Sequence, residues 1–279
     1  MLAWIKKQLN VFNVDKVDPT PDLSNLFSES EVEFYTLAVY NRIITKNNLN
    51  LGYHYKVAGV LEQALYQGWG YDLMQVPFTS SEYEVLQGLR RHIYVFSAAK
   101  QYSQVREMSE FINIGGQQSS FTEFRALADK VFTTYNKNYL KTEYHTAVGQ
   151  SEMAKQWTQF EDQKETLPML RYHTQRDARV RDEHAILDGI TKPVGDPFWS
   201  TYMPKNGWRC RCFVTQHGKY TKETELPDLP EWGDQQFPKV FRMNPGKDKL
   251  IFNPKFHPYF QVAPGDGAFK SNNYNLPRI

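Results

Sequence analysis

Cys210 and Cys212 are the only cysteines of the chain, and a single residue separates them. A disulfide between such near neighbours is badly strained, and two cysteines make no disulfide framework. The pair therefore points to free thiols and a reducing compartment. In an extended segment alternate side chains share a face, so both thiols would point the same way. His184 lies upstream. Two thiolates and an imidazole are a donor set for structural zinc, and Asp177, His173 and His217 are candidates for a fourth ligand. The competing reading is two small buried apolar side chains beside Trp208. One intervening residue is also a less common spacing than the two to four of most structural zinc sites. A catalytic Cys/His pair has no evident third group to orient it.

These residues sit in one unusual stretch, Thr174 to Val214, which also carries Trp199, Trp208 and a dense set of Arg and Asp. The polar run Thr174 to His184 reads as a helix charged on most sides, and such helices are exposed or laced by ion pairs. Asp177, Arg179, Arg181 and Asp188 can tie the irregular loop Ile190–Asn206 to that helix, whose backbone polar groups otherwise lack regular partners. Asp188–Gly189 reads as a turn. Trp208 to Thr215 alternates like a strand, with Arg209 and Arg211 on the face away from the thiols. Those two arginines could contact phosphates, although an ion-paired face is the simpler reading. The phosphate loop, the dinucleotide fingerprint, H-E-x-x-H and G-x-S-x-G are all absent.

The rest of the chain must carry this stretch. Its 279 residues, 41% hydrophobic and 15% aromatic, can bury a sizeable core, and a formal charge of +2 does not mark a nucleic-acid binder. No segment approaches the roughly 20 apolar residues of a membrane span. The N-terminal run has no signal-peptide core; Trp4, Ile5, Leu9 and Phe12 are spaced for a short docked helix. Capping-box signatures at Ser28/Glu31, Ser81/Glu84 and Ser120/Glu123 open helices. The spacing predicts helices over Ser30–Lys46, Tyr53–Trp69, Ser81 to about Tyr102, Phe121–Tyr135 and Tyr139 to about Phe160. Asn136 and Asn138 loosen the chain between the last two. After Pro227 a proline recurs every few residues among aromatics, a composition that suits neither helix nor central strand. The fold class is α+β and predominantly α: a helical N-terminal two-thirds, then a small α+β module with a short sheet, then a Pro-rich extended tail. The boundaries read 1–20 for an N-terminal segment, 21–165 for the helical domain, 166–226 for the module and 227–279 for the tail.

The module carries an ordered pattern: Asp177-x-Arg179, His184, Asp188-Gly189, Asp196-Pro197-x-Trp199, Pro204, then Gly207-Trp208-x-Cys210-Arg211-Cys212. It resembles the phage Mu F-like head morphogenesis (minor head protein) family. With the lead-in at Phe121, Phe124 and Asn138–Tyr144, the resemblance covers roughly residues 90–215. It implies a minor capsid protein of a tailed double-stranded DNA phage or prophage, made in the bacterial cytoplasm and residing in the virion head. Its partners would be the portal protein, the major capsid protein or both, with at most weak contact to packaged DNA. It implies binding rather than turnover, with Asp177, Arg179, His184, Asp188, Gly189, Trp199, Pro204, Trp208 and Arg211 as a shape-defining motif. Some relatives carry toxin domains after the module; the 65 residues after Val214 leave no room for one. The alternative is a phage-encoded nuclease or ADP-ribosyltransferase using Asp177, Arg179, His184 and Arg211.

Overall fold

The computed structural model describes residues 21–277 apart from 228, 230–232 and 234–236. The N-terminal amphipathic run and Trp232 lie outside the described residues. Five helices build the body. Helix α1 (Glu29–Tyr40) opens on the expected capping box, in which Ser28 N donates to Glu31 Oε2 at 2.9 Å and Ser28 Oγ accepts from Glu31 N. It stops short of Lys46 because Arg42 turns to a φ of 58°, and the amides of Ile43 and Ile44 both donate back to Ala38 O. Helix α2 (Leu51–Trp69) is capped by Asn50 and ended by Gly70 at a φ of 93°. Helix α3 (Ser81–Ser109) is capped by Ser80 rather than Ser81. It runs past Tyr102 because Val105 and Met108 extend its buried stripe.

A hairpin of β1 (Asn113–Ile114) and β2 (Gln117–Gln118) turns at Gly115–Gly116, both with positive φ. Helix α4 (Phe121–Thr133) opens on the Ser120/Glu123 capping box and continues through a π-helical turn, Thr134–Tyr139, into α5 (Leu140–Gln163). The two asparagines thus widen the helix without breaking it. Asn136 is anchored there by accepting the Tyr53 hydroxyl at 2.6 Å. Helices α2 and α5 cross closely at Gly68, where a Cβ would lie 2.2 Å from Val148 O.

Inside this body Lys100 of α3 donates to both carboxylate oxygens of Glu143 on α5, at 3.0 and 2.8 Å. The Pro-rich tail closes over the pair: Tyr259 donates its hydroxyl to Glu143 Oε1 at 2.8 Å. Phe241, Phe252, Phe260 and Tyr274 are buried in the same cluster as the helices, so the described tail wraps its own chain. The described tail residues hold short helical turns rather than sheet, such as Pro245–Asp248 and Pro258–Phe260.

The module begins with a three-stranded antiparallel sheet ordered β4-β3-β5, formed by β3 (Met169–His173), β4 (Thr191–Pro193) and β5 (Phe213–His217). Leu170 pairs with Lys192 on one side and Gln216 on the other. Two expectations are corrected here. The polar helix from Thr174 is a looped segment with Arg176 at a φ of 54°, and only Asp182–Ala185 (α6) makes a helical turn. Asp177 accepts the Arg179 amide and Asp188 accepts the Thr174 amide, so side chains satisfy the backbone in place of a helical ladder. The strand from Trp208 starts only at Phe213, because Arg209 turns at a φ of 56°. The module has its own core: Leu170, Tyr172, Trp199, Val214 and Phe237 pack with Met153 and Trp157 from the end of α5.

Buried imidazoles make the body acid-sensitive. Burial holds His54 and His92 near 4; burial, Lys100 and His92 hold His257 near 3. In the unfolded chain each titrates near 6.5. Between about 6.5 and 4 the unfolded state therefore binds more protons, and stability falls as the pH is lowered. The urea midpoint of unfolding is expected to be distinctly lower at pH 5 than at pH 7.5; equal midpoints would contradict this assignment.

Candidate functional site

The turn Gly207–Cys212 and the one-turn helix α6 bring three donor atoms together. His184 Nδ1 lies 3.6 Å from Cys210 Sγ and 3.5 Å from Cys212 Sγ. All three residues are buried, and the donor atoms lie within 4.8 Å of one another. The left-handed turn at Arg209, closed by Cys210 N donating to Gly207 O at 3.1 Å, aims both thiols to one side before the strand begins. The imidazole meets the edge of the Phe237 ring, with centroids 6.3 Å apart.

Burial raises the Cys210 thiol, but hydrogen bonding to Cys212 and His184 outweighs it and draws Cys210 well below the usual thiol range. Cys212 moves the other way, chiefly through the same bond to Cys210. The two thiols thus titrate as a coupled pair beside His184. Lys205 supports the turn by donating from Nζ to Cys212 O at 3.0 Å.

Above the cluster is an arginine rim. Arg211 grips Asp177 through two bonds of 2.8 and 2.7 Å, and this pairing holds the Asp177 carboxyl near 2. Arg181 Nη2 donates to Trp208 O at 2.7 Å, while Arg179 stays exposed near Asp177. A cavity of about 40 Å³ lies between rim and cluster, lined by Gln175, Arg179, Arg181, Arg209 and Arg211 together with His184 and both cysteines.

The other motif residues brace this knot. Asp188 accepts from Thr174 and, at 2.9 Å, from Arg176 Nε. Gly189, at a φ of 85°, donates its amide to Tyr172 O. Trp199 is 1% exposed and donates its indole N–H to Pro193 O at 2.9 Å. Pro204, five positions on, is also buried. Trp208 does not flank the thiols as expected. Its ring packs edge-on against Phe241 at 4.9 Å and seats the module on the tail. Of the fourth-ligand candidates, Asp177 is engaged by Arg211, while His173 and His217 both bond Thr215 on the sheet. None of the three joins the donor group among the described residues.

The sequence reading missed Tyr172, Asn206 and Gln150. Tyr172 donates its hydroxyl to Asn206 Oδ1 at 2.8 Å, and Gln150 of α5 donates to Lys205 O at 3.1 Å. Only the chance that a polar side chain recurs on a buried helix face could have flagged Gln150.

Residues 55–215, which span α2 to β5 and contain the whole cluster, match the family described as Phage Mu protein F like protein. The chain belongs to this family. The match starts earlier than the roughly 90 expected and takes in most of α2. Among Mu F-like relatives, the chain is similar to the putative capsid assembly protein F of Escherichia phage Mu, with 35% identity over 85 residues. That stretch is 30% of this chain and 17% of the relative. It is also similar to the Mu-like prophage FluMu F protein of Haemophilus influenzae, with 32% identity over 88 residues, 32% of this chain and 20% of that one. The chain thus aligns with a fifth or less of either relative's length. No solved structure matches. No helix among the described residues is long and apolar enough to cross a membrane.

Proposed function

We propose that this protein is a minor component of a tailed-phage or prophage head that acts by binding during head assembly. Membership of the Mu F-like family carries the reading, and a relative's description as a putative capsid assembly protein supports it. The chemistry of the module agrees with it. Asp177 and Arg211 neutralise each other, and His184 faces two sulfurs. The motif is thereby built for a fixed shape. The partners are other head proteins, the portal protein first and the major capsid protein second. Contact with packaged DNA is at most weak at a net charge of +2. The protein is made in the bacterial cytoplasm and carried into the head.

Phe34 and Ile43, each 61% exposed on or just after α1, are apolar groups that a partner subunit would cover. The experiment is mass spectrometry of purified procapsids and virions, followed by cross-linking. The chain is expected in the particles at far lower copy than the major capsid protein, with cross-links to the portal. Absence from both particle types would defeat the reading.

A further inference from the structure

His184, Cys210 and Cys212 meet at distances with a specific geometric meaning. Zinc bonds thiolate sulfur at about 2.3 Å and imidazole nitrogen at about 2.0–2.1 Å, so tetrahedral angles fix the sulfur-to-nitrogen edge at about 3.6 Å. The two edges here are 3.6 and 3.5 Å. Hydrogen bonding explains them less well. One ring nitrogen has either one proton or one lone pair to offer, so without an ion both sulfurs must share a single hydrogen-bonding site. A shared ion at the apex accounts for both. The donors are soft sulfur and imidazole nitrogen, the set that favours zinc over magnesium or calcium.

We propose that His184 Nδ1, Cys210 Sγ and Cys212 Sγ bind one zinc ion whose fourth position is taken by solvent from the arginine-lined cavity. The cavity of about 40 Å³ touches all three donor residues, and that is room for a water or two. Arginine has no lone pair to offer a metal. Asp177 is held by Arg211, and His173 and His217 by Thr215. The rim arginines Arg179, Arg181 and Arg209 instead set a positive field that would favour a hydroxide or a small anion at the open position. The ion would join α6 to the turn preceding β5, closing the loop between residues 184 and 210. This inference does not depend on where in a particle the protein resides.

The test begins with wild-type protein, reduced, reconstituted with zinc and desalted, then analysed for metal. About one zinc per chain is expected; a ratio that stays near zero overturns the proposal whatever any variant does. Chelator-stripped protein is then titrated with cobalt(II). Tetrahedral visible bands and a thiolate-to-cobalt band in the near ultraviolet are expected. The thiolate band should fall by about half in Cys212→Ser, and octahedral bands would overturn the site. Addition of azide to the cobalt form should shift the visible bands; unchanged bands would overturn the solvent-filled position. If Cys212→Ser fails to fold, the stoichiometry and azide measurements on the wild-type chain still decide.

Discussion

Replacing Glu143 by leucine should destabilise the protein by about 3–5 kcal/mol, the usual cost of stripping one partner from a buried ion pair. The side chains of Lys100 and Glu143 are 0% and 4% exposed. Burial already pulls the Lys100 ammonium below its ordinary range, with Glu143 opposing that shift. Without the carboxylate, the ammonium must stay charged in an aromatic shell or give up its proton. The loss therefore has a pH signature. Lys100 of the folded variant titrates below the unfolded lysine, so the deficit present at neutral pH shrinks as pH rises toward about 10. The double variant Lys100→Met with Glu143→Leu should regain most of the loss, because it leaves no lone charge. Urea unfolding of the two variants and the wild type measures all of this. A single variant as stable as the wild type would show that the pair is not desolvated.

Trp199→Ala should cost about 3–5 kcal/mol, as expected for emptying a fully buried indole site, and its effect should be local. Trp199 belongs to the module core with Tyr172, Val214 and Phe237, and not to the cluster that joins helices and tail. It also leaves Pro193 O without its indole donor. Hydrogen exchange should therefore lose protection in β3, β4 and β5 while α2 and α3 keep theirs. Uniform loss along the chain would mean that the two cores unfold as one.

How much of this could be read in the sequence follows from how local each signal is. Ser28/Glu31 and Ser120/Glu123 act within one helical turn, so their spacing marks the helix starts correctly. The union of His184 with Cys210 and Cys212 was also legible, since the residue types suit one another chemically. Strand β3 was not. Its partners Thr191–Pro193 and Phe213–His217 lie well downstream, and Met169–His173 carries no hairpin signal of its own. The run after Thr174 misled for a related reason. Asp177 accepts the Arg179 amide two residues on and favours a turn, and Asp188 from beyond the run accepts the Thr174 amide, neither of which a count of helical charges registers. Trp208 lies close to the thiols in sequence, but its ring meets Phe241, more than thirty positions on. Nothing in the intervening residues announces that contact.

The bond from Tyr259 to Glu143 has a consequence for biosynthesis. Helices α3 and α5 are both made well before Tyr259 leaves the ribosome, yet Lys100 and Glu143 lack their aromatic lid until it does. In the finished chain Phe252, Tyr259 and Phe260 are buried against these helices, so a chain that stops short of them leaves that side of the pair uncovered. The body can seal only when translation has passed this point, so the timing of its maturation is written into the order in which its parts are synthesised.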